Sequence, residues 1–349
     1  MTHKTKRVLL VAHDRGGVNL LLPLLTRWRP PRVTAYFIGT PPLESEVYRL
    51  YPSARLTHSA QLLANGSWIY EADELTAILQ SGKWDLVLTG TSVMSNLEKL
   101  TWKLAGQLSI PCAAICDMWT EYRRRFTDGP DVVLPDMLLV LDDRMAAEAK
   151  CALGDSIKIK VVGSPHFAHL IASSRRRSGT RTKVRFISEP AASIFPNARI
   201  DEFLIAKWVI EALGHRAKDL IIRPHPQDDS EAWRRFVYAY RKKGVHLDEE
   251  PSWACHLSTR MAVGVSSMML IELALVGVPV ASFKLYGSDE SYYCLPEKEF
   301  GIAVLRSEQE LKSWLRNPTP PSGASREFAA LHASAIKNIE DVCLGFANR

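Results

Sequence analysis

Short β-branched and aliphatic runs alternate along this chain with longer stretches whose apolar positions recur at helical spacing. That alternation predicts parallel sheets covered by helices, an α/β class. The first half supplies Arg7–Ala12, Val33–Ile38, Trp84–Thr89, Pro111–Cys116, Met137–Leu141 and Ile159–Gly163 as strands, enough for one doubly wound domain over residues 1–172. A polar, cationic stretch without periodicity then runs from Ser173 to Arg181, and the interdomain linker is placed at 173–182. The rhythm restarts with Lys183–Ser188, Asp219–Arg223, Gly244–Leu247, Met261–Val265, Pro279–Phe283 and Gly301–Leu305, which predicts a second Rossmann-like domain over 183–320. In residues 321–349, Phe328, Leu331, Ala335, Ile339 and Val342 return at helical spacing and predict a helix that closes the structure. No short-period repeat is present.

Length and composition agree with this layout. A chain of 349 residues suits two domains of about 150 residues each, and 46% hydrophobic with 23% charged residues describes ordinary globular cores. The six cysteines, Cys112, Cys116, Cys151, Cys255, Cys294 and Cys343, include no CxxC pair, which argues against a disulfide framework and a zinc site and for a reducing, cytoplasmic setting. The apolar N-terminal run breaks at His13-Asp14, too early for a signal peptide. No stretch reaches the roughly 18 apolar residues of a spanning helix, so a membrane contact would be peripheral, at the inner membrane face. A net charge of +6 suits anionic ligands such as phosphates. The arginines are dispersed and accompany no recognised nucleic-acid module, so no nucleic-acid partner is expected.

In open α/β sheets ligands bind beyond the carboxyl ends of the strands, so the residues after each strand carry the candidate chemistry. The first strand is followed by Asp14, Gly16 and Gly17 before an apolar helix; the glycines let the backbone approach a ligand, while Asp14 can equally cap the helix. This turn is not GxGxxG, which disfavours a dinucleotide cofactor. After Pro111–Cys116 come Asp117, Trp119, Tyr122 and three arginines. Asp117 has the chemistry of a general base or of a helix cap, and Trp119 and Tyr122 that of a sugar-stacking surface or of core. In the second half, His225 stands between two prolines, held rigid and able to donate to a phosphate. Ser266 and Ser267 open an apolar helix that carries Glu272; hydroxyls and free amides there make a phosphate cradle, and a carboxylate in that helix needs a partner such as a ribose diol. No Asp-x-Asp triplet occurs, and His166-Phe167-Ala168-His169 reads as structural, so no metal is expected.

Ser188, Arg223-Pro224-His225-Pro226 and Gly264-Val265-Ser266-Ser267 with Glu272 and Gly277-Val278-Pro279, in this order on successive strand ends, resemble the donor domain of GT-B glycosyltransferases. The likeness runs over residues 183–310 by motif, and is nearest to bacterial polysialyltransferases and polyglycerolphosphate transferases, which carry His-Pro and Ser-Ser or Ser-Thr motifs. The resemblance implies two Rossmann-like domains facing each other across a cleft, with a nucleotide-sugar donor held by Ser188, Arg223, His225, Ser266, Ser267 and Glu272. Asp117 stands where the sialyl members place an acidic base, with Met118 and Trp119 in place of the glycine that usually follows. Asp14, Gly16, Gly17, Trp119 and Tyr122 would face the acceptor. The implied activity is metal-independent, inverting transfer of a sugar to a carbohydrate or lipid-linked acceptor in surface polysaccharide or glycoconjugate synthesis, with no cofactor besides the nucleotide-sugar co-substrate. Non-hydrolysing sugar-nucleotide 2-epimerases share the layout, with Ser-Gly where this chain has Ser266-Ser267, so an epimerase or hydrolase is the first alternative. A non-catalytic sugar-nucleotide-binding subunit is the second.

Overall fold

The computed structural model describes residues 5–29, 32–38, 60–62, 68–174, 179–190, 197, 199–250, 252–285, 287–288, 294–321 and 330–346. The chain divides into two units, Met1–His169 with Ala330–Arg349, and Leu170–Ala329.

In chain order the first unit carries β1 (Lys6–Val11), α1 (Arg15–Arg27), β2 (Val33–Ile38), β3 (Ala60–Leu62), β4 (Trp68–Tyr70), α2 (Ala72–Ser81), β5 (Leu86–Thr89), α3 (Leu97–Gln107), β6 (Cys112–Ile115), α4 (Tyr122–Arg125), β7 (Thr127–Asp128), β8 (Asp131–Val132), β9 (Met137–Val140), α5 (Asp143–Leu153) and β10 (Lys158–Val161). Helix α6 (Pro165–Ser174) straddles the division. Six strands form one parallel sheet in the order β10-β9-β6-β5-β1-β2. The central strands β5 and β6 are buried at every residue, which is why their sequences read as continuous apolar runs rather than as alternation. The small pairs β3·β4 and β7·β8 are antiparallel.

The second unit carries β11 (Lys183–Ile187), α7 (Glu202–Leu213), β12 (Leu220–Arg223), α8 (Ser230–Ala239), β13 (His246–Leu247), α9 (Ser252–Ser258), β14 (Thr259–Gly264), α10 (Met268–Leu275), β15 (Val280–Phe283), α11 (Glu297–Phe300), β16 (Ala303–Leu305) and α12 (Glu308–Arg316). Its parallel sheet has the order β13-β12-β11-β14-β15-β16, the doubly wound arrangement with a reversal beside the first strand. Val184 and Phe186 point into a core with Trp233 and Phe283, where Trp233 stacks on Phe203 at 4.3 Å. Arg185 points to the opposite face and is wholly buried. Its guanidinium pairs with Asp248 at 2.8 Å and with Glu250, and also donates to the Cys255 carbonyl, Ser258 and Thr259. All twelve strands expected from the pattern belong to these two sheets, with ends that differ by up to two residues from the expected ones.

The end of the chain differs from its expected place as a separate closing element. Ala330–Arg349 belongs to the first unit, where α13 (Ala335–Phe346) buries Ala335, Ile339 and Val342 against β1 and α1. The reason is a set of directed bonds behind β10. The His332 Nδ1 accepts from the Ser164 amide at 2.9 Å, Asn338 donates to the Val162 carbonyl at 3.1 Å, and Phe167 meets His332 edge-on. Gly163, at φ +81°, allows the approach, because a Cβ there would stand 2.9 Å from the Leu331 carbonyl oxygen. Likewise, the division falls between His169 and Leu170, ahead of the polar stretch at 173–182, because α6 continues helical through Ser174. Residues 175–178 and 322–329 lie outside the described residues. No helix among the described residues is long and apolar enough to cross a membrane.

Two stability tests follow. Arg185→Met leaves the fully buried Asp248 with Arg223 as its remaining cation, so urea unfolding should show a loss of about 3–5 kcal/mol. Burial pushes the His332 imidazole down to about 4, below its ordinary 6.5. The unfolded chain therefore binds the extra proton between these values, and stability falls as pH drops through that window. His332→Asn, whose side-chain oxygen can still accept from Ser164, should show a shallower fall in the same titration.

Candidate functional site

Strand order reverses between β1 and β5 in the first unit, and there the turns after β1, β5 and β6 converge. Asp14 is the N-cap of α1, its Oδ1 accepting from the Gly17 amide at 2.8 Å. Asp117, after β6, reaches the same turn. A Cβ on Gly16 would overlap Asp117 Oδ2, stand 3.0 Å from its Cγ and lie 3.5 Å from Asp14 Oδ1. The two carboxylates therefore flank one glycine. Gly17 and Gly90 supply a second close approach, a Cβ on Gly90 falling 3.0 Å from the Gly17 Cα.

Arg125 fixes this arrangement. Its side chain is 5% exposed, and it donates to Asp117 Oδ1 at 2.8 Å, to the carbonyl and hydroxyl of Thr91 at 2.7 and 3.0 Å, and to the Thr120 carbonyl at 3.0 Å. Burial pushes the Asp117 carboxyl above its ordinary value; Arg125 opposes that rise and Asp14 adds to it. Asp117 keeps 17% of its side chain exposed, so it is open to a proton donor from outside. Beneath the turn, the His13 amide donates to the buried Glu98 Oε1 at 2.9 Å.

Trp119 and Tyr122 are placed elsewhere than expected. Both are buried, the indole N–H donating to Asp142 at 2.7 Å and the phenol to Glu148 at 2.9 Å. They pack α4 onto α5 and offer no open ring face for a sugar, since each ring ends in a polar atom that must find an internal partner once buried.

In the second unit the reversal lies between β11 and β14, with β12 on the other side of β11. Ser188, His225 and Ser266 lie one or two residues beyond the ends of these strands. Gly264 permits the strands to close up, because a Cβ there would lie 2.8 Å from the Ile187 carbonyl oxygen. Ser188 is buried and its hydroxyl has no hydrogen-bond partner among the described residues. The His225 amide donates to Asp228 at 2.6 Å, and its Nδ1 accepts from the Gln227 amide at 3.2 Å. Burial lowers the His225 pKa, so the ring is neutral near pH 7 and carries its proton on Nε2, a donor. Ser266 is buried with its Oγ 3.8 Å from the Cys294 sulfur. Ser267 is the N-cap of α10 and accepts from the Met269 amide.

Two of the expected donor contacts are engaged internally. Glu272 sits 3.1 Å from His256 Nε2, so its carboxylate finds in the fold the partner that the sequence left to a ribose. Arg223 donates to Asp248, the Glu250 carbonyl and the Cys255 sulfur, because the guanidinium at the end of β12 lies beside the same carboxylates that hold Arg185. Asp248, Glu250 and Cys255 are also the group among the described residues whose ligand atoms lie close enough together, within 4.8 Å, to hold a metal. Arg185, Arg223 and Lys183 already pair those carboxylates.

Sequence reasoning missed Glu98, Arg125, His256 and Cys294. Glu98 had a signal, since it shares the buried face of α3 with Thr101, Trp102 and Ala105. Arg125 had none to separate it from Arg123 and Arg124, which are exposed.

No family model matches the chain, and no curated protein matches it. Solved structures do. The UDP-GlcNAc 2-epimerase of Methanocaldococcus jannaschii superposes with a TM-score of 0.67 at 14% identity, over 97% of this chain and 100% of its own. Arabidopsis thaliana UGT89C1, solved with quercetin, gives 0.60 at 12% identity over 99% and 100%. Acinetobacter baumannii MurG gives 0.53 at 12% identity over 97% and 99%. These likenesses show the fold, a GT-B pair of parallel-sheet α/β units.

Gly16→Ala should push the Asp117 carboxylate off its seat and destabilise the protein by about 1–3 kcal/mol, as overpacking does. Denaturant unfolding and a crystal structure of the variant check both.

Proposed function

We propose that this protein is a nucleotide-sugar-dependent glycosyltransferase of the inverting, metal-independent kind. The observation that carries the reading is the Asp117 carboxylate, fixed by Arg125 at a strand end, seated on Gly16 and open to solvent on one side. Asp117 would take the proton from an acceptor hydroxyl, whose oxygen attacks the anomeric carbon as the bond to the nucleotide phosphate breaks. The second unit would hold the donor through the strand-end groups Ser188, His225 and Ser266, with the amides at the start of α10. The neutral His225, donating from Nε2, and those amides would offset the charge that develops on the departing phosphate. Support for a nucleotide-sugar ligand also comes from proteins of the same fold, one solved with UDP and one with UDP-L-rhamnose. The acceptor would be a carbohydrate or lipid-linked hydroxyl, and a peripheral contact with an anionic membrane face would bring a lipid-linked one within reach.

A second reading, sugar-nucleotide 2-epimerisation, draws on the two carboxyls that flank Gly16, since acid and base on either side of one glycine suit proton removal and return without an acceptor. UDP-GlcNAc 2-epimerases also figure among the similar folds. Incubating UDP-sugars alone and with sugar acceptors, read by mass spectrometry and proton NMR, separates the two. Transfer predicts a new glycoside only when acceptor is present; an altered sugar in the donor-only sample would overturn it.

Asp117→Asn should lower transfer by about 10²-fold or more while calorimetry finds nucleotide affinity unchanged, because an amide cannot take the proton. In the unmutated enzyme, activity should rise with pH through the Asp117 titration. Burial and Asp14 place that rise above the ordinary carboxylate range. Transfer should persist after exhaustive chelation, and dependence on an added divalent ion would count against the mechanism.

A further inference from the structure

The chain's net charge of +6 is not spread evenly along it. Residues 232–247 carry Arg234, Arg235, Arg241, Lys242 and Lys243 and no carboxylate. Helix α8 runs from the carboxyl end of β12 back to the amino end of β13, and its inner side packs on the core through the buried Trp233 and the half-buried Phe236. Arg234 and Tyr238 are one turn apart on the outer face, with Arg235 beside them, and all three are exposed. Tyr238 leaves 63% of its surface open, and the Arg241 guanidinium lies 3.9 Å over its ring. Arg241–Lys243 forms a 3-10 turn after the helix, and this turn touches a second one, Gly214–Asp219, that precedes β12. Gly244 permits the approach: its φ is +78°, and a Cβ there would stand 2.9 Å from the Lys218 Cα. The exposed Lys218 thereby becomes the sixth cation of one surface. Glu231 and Asp219, the carboxylates in these elements, are paired with Arg234 at 3.3 Å and with Arg260 at 3.9 Å.

We propose that the outer face of α8, with the turns Gly214–Asp219 and Arg241–Lys243, is a docking surface for an anionic lipid bilayer. Cations after a helix offset its dipole, but one or two suffice for that, and Lys218 stands on a different element. Six cations around one exposed tyrosine complement a plane of lipid phosphates, where the phenol ring sits among the headgroups and the long basic side chains reach along them. Nucleic acid offers the charge without that interfacial layer, and a single ring with one face covered by Arg241 is no platform for successive bases. The patch lies at the amino ends of β12 and β13, whereas Ser188, His225 and Ser266 lie beyond the carboxyl ends of β11, β12 and β14. This unit can therefore rest on a bilayer with its strand-end groups clear. What the contact serves, the reach of a lipid-linked acceptor, rests on the proposed function; the contact itself does not.

Sedimentation with vesicles tests this on the whole chain, without donor or acceptor. The native protein should pellet with vesicles of phosphatidylcholine mixed with phosphatidylglycerol and stay in solution with phosphatidylcholine alone. Binding should fall steeply from about 0.1 to 1 M NaCl, over which the Debye length shrinks from about 10 to 3 Å. The triple variant Arg241→Gln, Lys242→Gln, Lys243→Gln should bind about 10²-fold more weakly, since each cation near such a surface contributes about fivefold. On α8 itself, Arg234→Gln with Arg235→Gln should weaken binding about 25-fold. A control triple, Arg27→Gln, Lys158→Gln, Lys160→Gln, removes the same charge from exposed positions of the first unit and should bind nearly as well as the native protein. Equal loss in the two triples would make net charge, not this face, the cause and overturn the proposal. Equal pelleting with both kinds of vesicle, or with neither, would overturn it too, as would tighter, patch-dependent binding of a mixed-sequence DNA duplex. Should the patch variants not fold, acetylation of the native protein's lysines decides. The mixed vesicles should protect Lys218, Lys242 and Lys243 but not Lys158 and Lys160, and labelling unchanged at the first three would sink the idea. Sugar transfer without vesicle binding removes this contact alone, whereas vesicle binding without turnover of any donor removes the proposed function and leaves the contact standing.

Discussion

A parallel sheet has to reverse its strand order somewhere if helices are to cover both faces, and at that reversal the connections on either side leave in opposite directions. In the first unit this happens between β1 and β5, in the second between β11 and β14. The gap at each reversal is open to ligands only if the flanking backbones crowd together beneath it. Gly17 against Gly90, and Gly264 against the Ile187 carbonyl, are the contacts that accomplish this. A Cβ at Gly264 would meet the Ile187 carbonyl at 2.8 Å and one at Gly90 would crowd Gly17 at 3.0 Å, and both units organise their polar residues around these contacts.

Polar groups brought to such a seam must be satisfied there, and the manner of satisfaction separates machinery from scaffold. Asp117 is paired with Arg125 yet keeps an exposed edge. His225 spends Nδ1 on a backbone amide, and its Nε2 remains to donate. By contrast, Trp119, Tyr122, Arg223 and Glu272 bond to neighbours inside the fold. A buried hydrogen bond left unmade costs about 1–3 kcal/mol, so a long polar side chain near a strand end takes an internal partner wherever one is within reach. Arg125 shows the productive use of that rule: by bonding Thr91, Thr120 and Asp117 at once, it ties the turns after β5 and β6 and leaves the carboxylate no freedom to rotate away.

Twofold resemblance between the units extends to their electrostatics only in part. The first unit gathers Asp14, Glu98 and Asp117 around one glycine turn with a single buried guanidinium beside them. The second pairs its carboxylates Asp248 and Glu250 with Arg185, Arg223 and Lys183, which leaves serine and histidine as the groups offered beyond β11, β12 and β14. The first surface suits taking up a proton, whereas the second, lined by hydroxyls, an imidazole and helix amides, suits an anion. This difference in chemistry underlies the assignment of acceptor and donor roles.

Much of this was legible from residue order alone. The period of the apolar positions determined every strand of both sheets, because a strand buried on two faces must be written as an unbroken apolar run. The turns after those strands could be found without coordinates, since a parallel sheet places its ligands at carboxyl ends, and Asp14, Gly16, Asp117, His225 and Ser266 all stand there. Which polar residues at those ends are spoken for was decided by tertiary structure. His256 lies 16 positions from Glu272, Asp142 lies 23 from Trp119, and His332 reaches back 168 residues to Ser164 to draw the chain's end into the first unit. Hydrogen bonds and ion pairs of that separation have no period and no local spacing, so only the folded chain assigns them.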